Sequence, residues 1–263
     1  MRSVAGDRPP AAALLLAAVA VLFFLLPLAG LVARAPWNDA VGQLSAPESR
    51  LAFQLSLLTS FSATALAVVF GVPLAWLIAR VRFRGRNVLR ALVTLPMVLP
   101  PVVGGVALLL AFGRRGLLGP LLAAAGIHLP FTTAGAVLAE TFVAMPFLVI
   151  TVEAGLRSMD LRYEEAARTL GAGRWYLFRR VTLPLVLPSL LAGSVLCWAR
   201  ALGEFGATIT FAGNFPGTTQ TLPLAVYLEL ETRPDAAIML SLVLLLVSLA
   251  VLVGLRDRWL GAG

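Results

Sequence analysis

Arg200 and Glu204 stand four residues apart in the stretch SVLCWARALGEFGATITFAG, where every other side chain is apolar or small. On a helix that spacing puts both on one side, where they can pair. A charge inside an apolar membrane run costs roughly 2.5–3.5 kcal/mol on insertion scales unless it is paired or hydrated. Two readings follow: a structural ion pair, or an arginine that lines a path for an anion while Glu204 holds its rotamer. Glu140 is another acid within an apolar run, and spacing identifies no partner for it. Asn214, Thr218, Thr219 and Gln220 come just after the Arg200 run. Their neutral hydrogen-bonding groups suit brief contact with an anion that must move on. Gly213, Pro216 and Gly217 in the same segment equally describe a plain turn.

Covalent and metal chemistry is poorly supplied. The chain has one cysteine, Cys197, and one histidine, His128, which excludes a disulfide framework and argues against a metal site. Cys197 lies within an apolar run and reads as packing; His128 sits in a short polar loop beside Pro130. An intramembrane enzyme would lack its nucleophile or metal set. All 21 basic residues are arginine. A Walker A loop needs lysine, so the chain has no phosphate-binding loop of its own.

The elements that must position these residues are membrane spans. Of 263 residues 59% are hydrophobic and 13% charged, with mean hydropathy +0.91, whereas soluble domains are about a quarter charged. Six runs approach the ~20 residues needed to cross a bilayer: 11–33, 52–79, 89–112, 132–157, 185–212 and 236–255. Ala33-Arg34-Ala35 resembles a cleavage site, but the first run is longer than a signal h-region. The net charge of +8 is not spread as for nucleic acid. With the N-terminus inside, fifteen arginines fall in inner segments and five in outer ones, so the positive-inside rule places both termini in the cytoplasm. Pro96, Pro100, Pro101, Pro146, Pro184 and Pro188 interrupt or open the runs. They mark either kinked packing or helices that move along a path.

One inner segment differs from the rest. YEEAARTLGAGRWYLFRRVTLP, residues 163–184, carries six charges in 22 residues between two apolar runs. Asp160 suits an N-cap, and Glu164 and Glu165 lie early in a helix, where negative charge is favoured. Ala166, Ala167 and Leu170 form a small apolar patch, and Gly171 falls where a helix turns left-handed at its end. A second short helix follows, with Trp175, Phe178 and Val181 three apart. Such an elbow either docks in a groove on another protein or lies on the bilayer surface.

The elbow resembles the EAA motif of ABC importer permeases, which reads E-A-A, three residues, G, nine residues, I-x-L-P. Glu165, Ala166, Ala167, Gly171, Leu183 and Pro184 match it, with Val181 in place of isoleucine. In that family the segment is the coupling helix, seated in a cleft of an ATP-binding subunit. The resemblance therefore implies that Glu164, Glu165, Ala166, Ala167, Leu170, Gly171, Leu183 and Pro184 couple to a separate ATPase. A secondary transporter or channel needs no such elbow. RALGEFGATITFAGNFPGTTQTLPLAVY, residues 200–227, resembles the molybdate/sulfate/tungstate group of type I importers. Sulfate permeases share the R-A-x-G-E core, and the FAGNFPGTTQTLPLAVY continuation is more similar to the molybdate branch, with sulfate, thiosulfate or tungstate as the alternative cargo. The earlier stretches SLLTSFSATALAVVFGVPLAWLIAR and LPMVLPPVVGG share that likeness.

What the resemblance implies is an all-α polytopic membrane protein of the type I importer fold, with six transmembrane helices. Residues 1–263 form a single permease domain, with a coupling loop at 158–184 and an external loop at 213–235. The implied assembly holds a second copy of this chain, two ATP-binding cassette subunits and an external oxyanion-binding protein, in a bacterial inner membrane. No cofactor is expected on this chain; ATP and Mg would sit on the partner ATPase. A carboxylate facing an oxyanion path repels the cargo, so Glu140 and Glu204 are assigned structural roles and Arg200 the path.

Overall fold

The computed structural model describes residues 10–260; Arg2 and Arg8 of the inner arginine set lie outside them, as do the side chains of Arg256 and Arg258. Every regular element among the described residues is helical. In chain order these are α1 (Ala11–Ala33), α2 (Ala40–Ser45), α3 (Pro47–Arg80), α4 (Arg86–Thr94), α5 (Pro101–Phe112), α6 (Gly119–Ala124) and α7 (Thr133–Ser158). Then come α8 (Arg162–Thr169), α9 (Arg174–Leu177), α10 (Leu183–Leu202), α11 (Gly206–Ala212), α12 (Leu222–Thr232) and α13 (Pro234–Leu260). Five helical stretches are long and apolar enough to cross a membrane, or six where the bent pair counts as one span.

The centre is α7, packed between α3 and α10. Ala63, Ala67, Ala75, Ala144, Leu148, Val149, Val152 and Cys197 form its buried core. Lipid supplies no hydrophobic drive between helices, so close van der Waals packing of small residues must do it. Gly71 is an example: a methyl group there would stand 3.0 Å from a Leu148 methyl. Thr132 starts α7 by accepting a hydrogen bond from the Gly135 amide at 3.1 Å, the usual role of an N-cap hydroxyl. Helix α3 has 34 residues and is therefore about 51 Å long. It is longer than the ~30 Å hydrocarbon core, and Arg80 is its last residue. None of α1 is buried; near its end Leu31 packs against the small cluster of Ala35, Met239 and Leu242.

Two expected spans are broken. The run 89–112 is not one helix: Arg86–Met97 and Pro101–Phe112 meet at 116°. Pro100 is extended (φ −52°, ψ 129°), because a residue followed by proline is driven out of the helical region. Pro101 then opens α5, where a missing N–H costs nothing. The run 185–212 also divides, at Gly203–Phe205, into α10 and α11. The second half of LPPVVGG explains how α5 and α11 approach. A methyl group at Gly105 would stand 2.6 Å from Thr210 Cβ and 2.9 Å from the Ala207 carbonyl oxygen, and one at Gly206 2.8 Å from Pro101 Cβ. Only glycine admits such backbone contact.

Candidate functional site

The elbow is built much as its residues direct. Asp160 Oδ1 accepts from the Arg162 amide at 2.9 Å, capping α8 from two positions ahead of its first residue. At the other end the Ala172 amide donates to Ala167 O and the Gly171 amide to Arg168 O, both at 3.0 Å. This is the Schellman arrangement, and it requires Gly171 at φ +83°. Residues 178–182 then form a π-turn, directly upstream of Pro184, which has no N–H to complete the regular ladder at that point. Trp175 and Phe178 stack with centroids 5.8 Å apart.

Glu164 holds the elbow to the bundle. Its Oε1 accepts from Thr182 Oγ1 at 3.0 Å and from Arg80 Nη2 at 3.3 Å, and Arg168 lies 3.7 Å from Oε2. One carboxylate thus ties α8 to the end of α3 and to the start of the α10 segment. Glu165 and Ala166 face outward, Ala167 is half-buried, and Leu170 is 89% exposed. Ala166 and Leu170, with Tyr163 and Trp175, also exposed, give the elbow an apolar outer surface beside Glu165. Leu183 is half-buried and Pro184 exposed at the head of α10.

The second group of polar residues lies within the spans. Arg200 Nη2 is 2.5 Å from Glu204 Oε2, an ion contact in which the carboxylate is 1% exposed and the arginine side chain 27%. Glu204 is past the end of α10, so its other oxygen is free to accept from the Ala207 amide at 2.8 Å and cap α11. Glu140 on α7 accepts from Thr59 Oγ1 of α3 at 2.8 Å. Trp198 Nε1 donates to Ser60 Oγ at 3.0 Å, and the Leu222 amide to Ser56 Oγ at 2.6 Å. Side-chain donors and acceptors on α3, α7 and α10 thereby meet across helix boundaries.

The segment after α11 turns on itself through Gly213 and Gly217, at φ +78° and +71°. The Thr218, Thr219 and Gln220 amides all point to Phe215 O, at 3.1, 2.9 and 3.0 Å. Thr219 Oγ1 accepts from the Phe215 amide at 2.9 Å, so that hydroxyl is engaged inside its own loop. Gln220 is buried, Thr218 exposed, and half-buried Asn214 donates to Leu224 O at 3.4 Å. Beyond this loop Arg233 pairs with Glu229 and approaches Glu48; the hydrogen bond to Glu229 pushes its guanidinium pKa up further. No group of histidine, cysteine or acids capable of holding a metal occurs among the described residues.

The elbow is tied to a bundle of broken apolar helices, and the chain can be placed among known proteins. Residues 67–262 match the family described as "Binding-protein-dependent transport system inner membrane component". The chain belongs to that family. The molybdenum transport system permease protein ModB of Mycobacterium tuberculosis strain H37Rv is 50% identical over 238 residues, 90% of each chain. The sulfate transport system permease protein CysT of Escherichia coli K12 is 39% identical over 239 residues, 89% of this chain and 86% of that one. Among solved structures, the bacterial alginate ABC transporter with its alginate pentasaccharide-bound periplasmic protein superposes with TM-score 0.73 at 20% identity. That match covers 92% of this chain and 90% of that one, and it carries the fold alone.

This inner-membrane permease brings its sequence-predicted residues into three separate places. The 160–184 set is continuous in sequence and in space. Arg200, Glu204 and Glu140 lie in the bundle, whereas 214–220 form the loop beyond α11. Sequence reading missed Arg80 and Thr182 as the partners of Glu164. Arg80 is 84 residues away, and at the end of an apolar run it reads as one more inner arginine. It also missed Glu153, 6% exposed, which takes both Arg90 of α4 and Arg157, the latter at 3.0 Å. A glutamate in the last turns of an apolar helix was the available signal.

Proposed function

We propose that this permease is the transmembrane subunit of an ATP-driven importer for molybdate. Two copies form the translocation path, and each receives mechanical work from a separate ATP-binding cassette subunit docked on residues 158–184. The observation that carries the coupling role is the anchored elbow: its apolar outer face is free, while Glu164 on its inner side grips α3 and the root of α10. A docking partner that moves α8 therefore pulls on two membrane helices. Joining α4 and α5 as one broken span gives six crossings, and the arginine bias supports cytoplasmic termini. An external binding protein delivers the oxyanion. ATP and Mg reside on the partner subunits, whose closure moves both elbows and turns the path outward.

Molybdate is favoured because identity to the molybdenum permease exceeds identity to the sulfate permease over a similar length. Arg200 is the path residue, its partly exposed guanidinium attracting a dianion. Glu204 holds its rotamer, Glu140 braces α7 against α3, and Asn214, Thr218, Thr219 and Gln220 line the external mouth of the path. The deciding experiment reconstitutes the permease with its ATPase and measures hydrolysis on adding binding protein loaded with molybdate, tungstate, sulfate or thiosulfate. Strongest stimulation by molybdate supports the proposal. Strongest stimulation by sulfate or thiosulfate reassigns the cargo, and transport without any ATPase overturns the class.

A further inference from the structure

A cleft of about 760 Å³ opens between the elbow, the end of α3 and the 81–86 turn. Arg80, Arg82, Arg86, Arg168 and Arg174 line it, against two carboxylates, Glu164 and Glu165. Glu164 answers Arg80 and Arg168; Arg82, Arg86 and Arg174 meet no carboxylate among the described residues. The Nε atoms of Arg80 and Arg86 are buried without an acceptor. Buried guanidinium donors normally have acceptors, so this lining is short of oxygens as well as of negative charge. Forked guanidinium donors match tetrahedral oxyanions geometrically. Trp76, also in the lining, belongs to the residue type that settles at membrane–water boundaries. Basic pockets between spans at that level take acidic headgroups.

We infer that this cleft binds a tetrahedral oxyanion group, either the phosphate headgroup of an anionic lipid or a free oxyanion. The bound group bridges the end of α3 to the elbow, beside Glu164. Binding needs only the cleft and is independent of which cargo is carried.

The test uses the full chain in lipid nanodiscs. In one arm, pure phosphatidylcholine discs are titrated calorimetrically with inorganic phosphate and then with molybdate. In the other, discs containing phosphatidylglycerol are analysed by native mass spectrometry for retained lipid. Saturable binding is expected in at least one arm, and the arm that responds names the source. The Arg82→Gln/Arg86→Gln pair should weaken it at least about tenfold, as loss of charge-assisted hydrogen bonds does. Arg174→Glu, an exposed change outside the bundle, should weaken it too, and gel filtration matching the parent shows that both variants fold. No saturable binding in either arm overturns the inference. So does binding unchanged in both variants, or Arg174 cross-linking to an acidic surface of the ATPase while both anions are ignored.

Discussion

Glu164→Gln removes one charge from the elbow's anchor and little else. The amide oxygen can still accept from Thr182, while Arg80 and Arg168 lose their counter-charge. At 3.3 Å and an effective dielectric near 20 the gross attraction to Arg80 is about 5 kcal/mol. Both side chains are mostly shielded, 17% and 13% exposed, so desolvation and side-chain ordering offset much of that. About 1–2 kcal/mol should remain, above the value of an exposed pair. If the anchor transmits force, insertion and assembly stay near normal while ATPase stimulation by loaded binding protein falls about 5–30-fold. Arg80→Gln should do the same, and the double variant should be no worse than the weaker single. The assay is ATP hydrolysis and uptake in proteoliposomes for all four members of this cycle. Additivity within about 0.3–0.5 kcal/mol, or normal stimulation in both single variants, refutes the reasoning.

Gly171→Val should cost about 1–2 kcal/mol at its left-handed φ and abolish ATPase co-purification without affecting membrane insertion. Gly171→Asn should be far milder, because nothing lies within 4 Å of its Cβ position and asparagine tolerates that region. Gly105→Val should part α5 from α11, with clashes at Thr210 and Ala207 costing about 1–3 kcal/mol, read as a lower melting temperature in detergent. Glu204→Gln alone should lower the yield of assembled complex, since Arg200 is left unpaired. Arg200→Met with Glu204→Gln should restore yield, because the amide still caps α11. Normal uptake by that pair would make Arg200 purely structural, and lost uptake would support its place in the path.

Local chemistry determined the elbow. Asp160, the early glutamates, Gly171 and Pro184 each act within a few residues, so their geometry is written in adjacent positions. The i, i+4 meeting of Arg200 with Glu204 was legible for the same reason. Tertiary structure decided the rest. A string of prolines announces a break but not its angle, and the 116° bend depends on α5 packing against α11 through Gly105 and Gly206. Glu204 lies beyond the end of α10 rather than within a continuous span, which is how it serves both Arg200 and the α11 cap. Glu140 found its partner 81 residues away and Glu164 found Arg80 at 84. No pattern along a uniformly apolar chain specifies which faces of two helices will meet. That choice is made by small residues allowing close approach, and the buried carboxylates take the donors that approach brings.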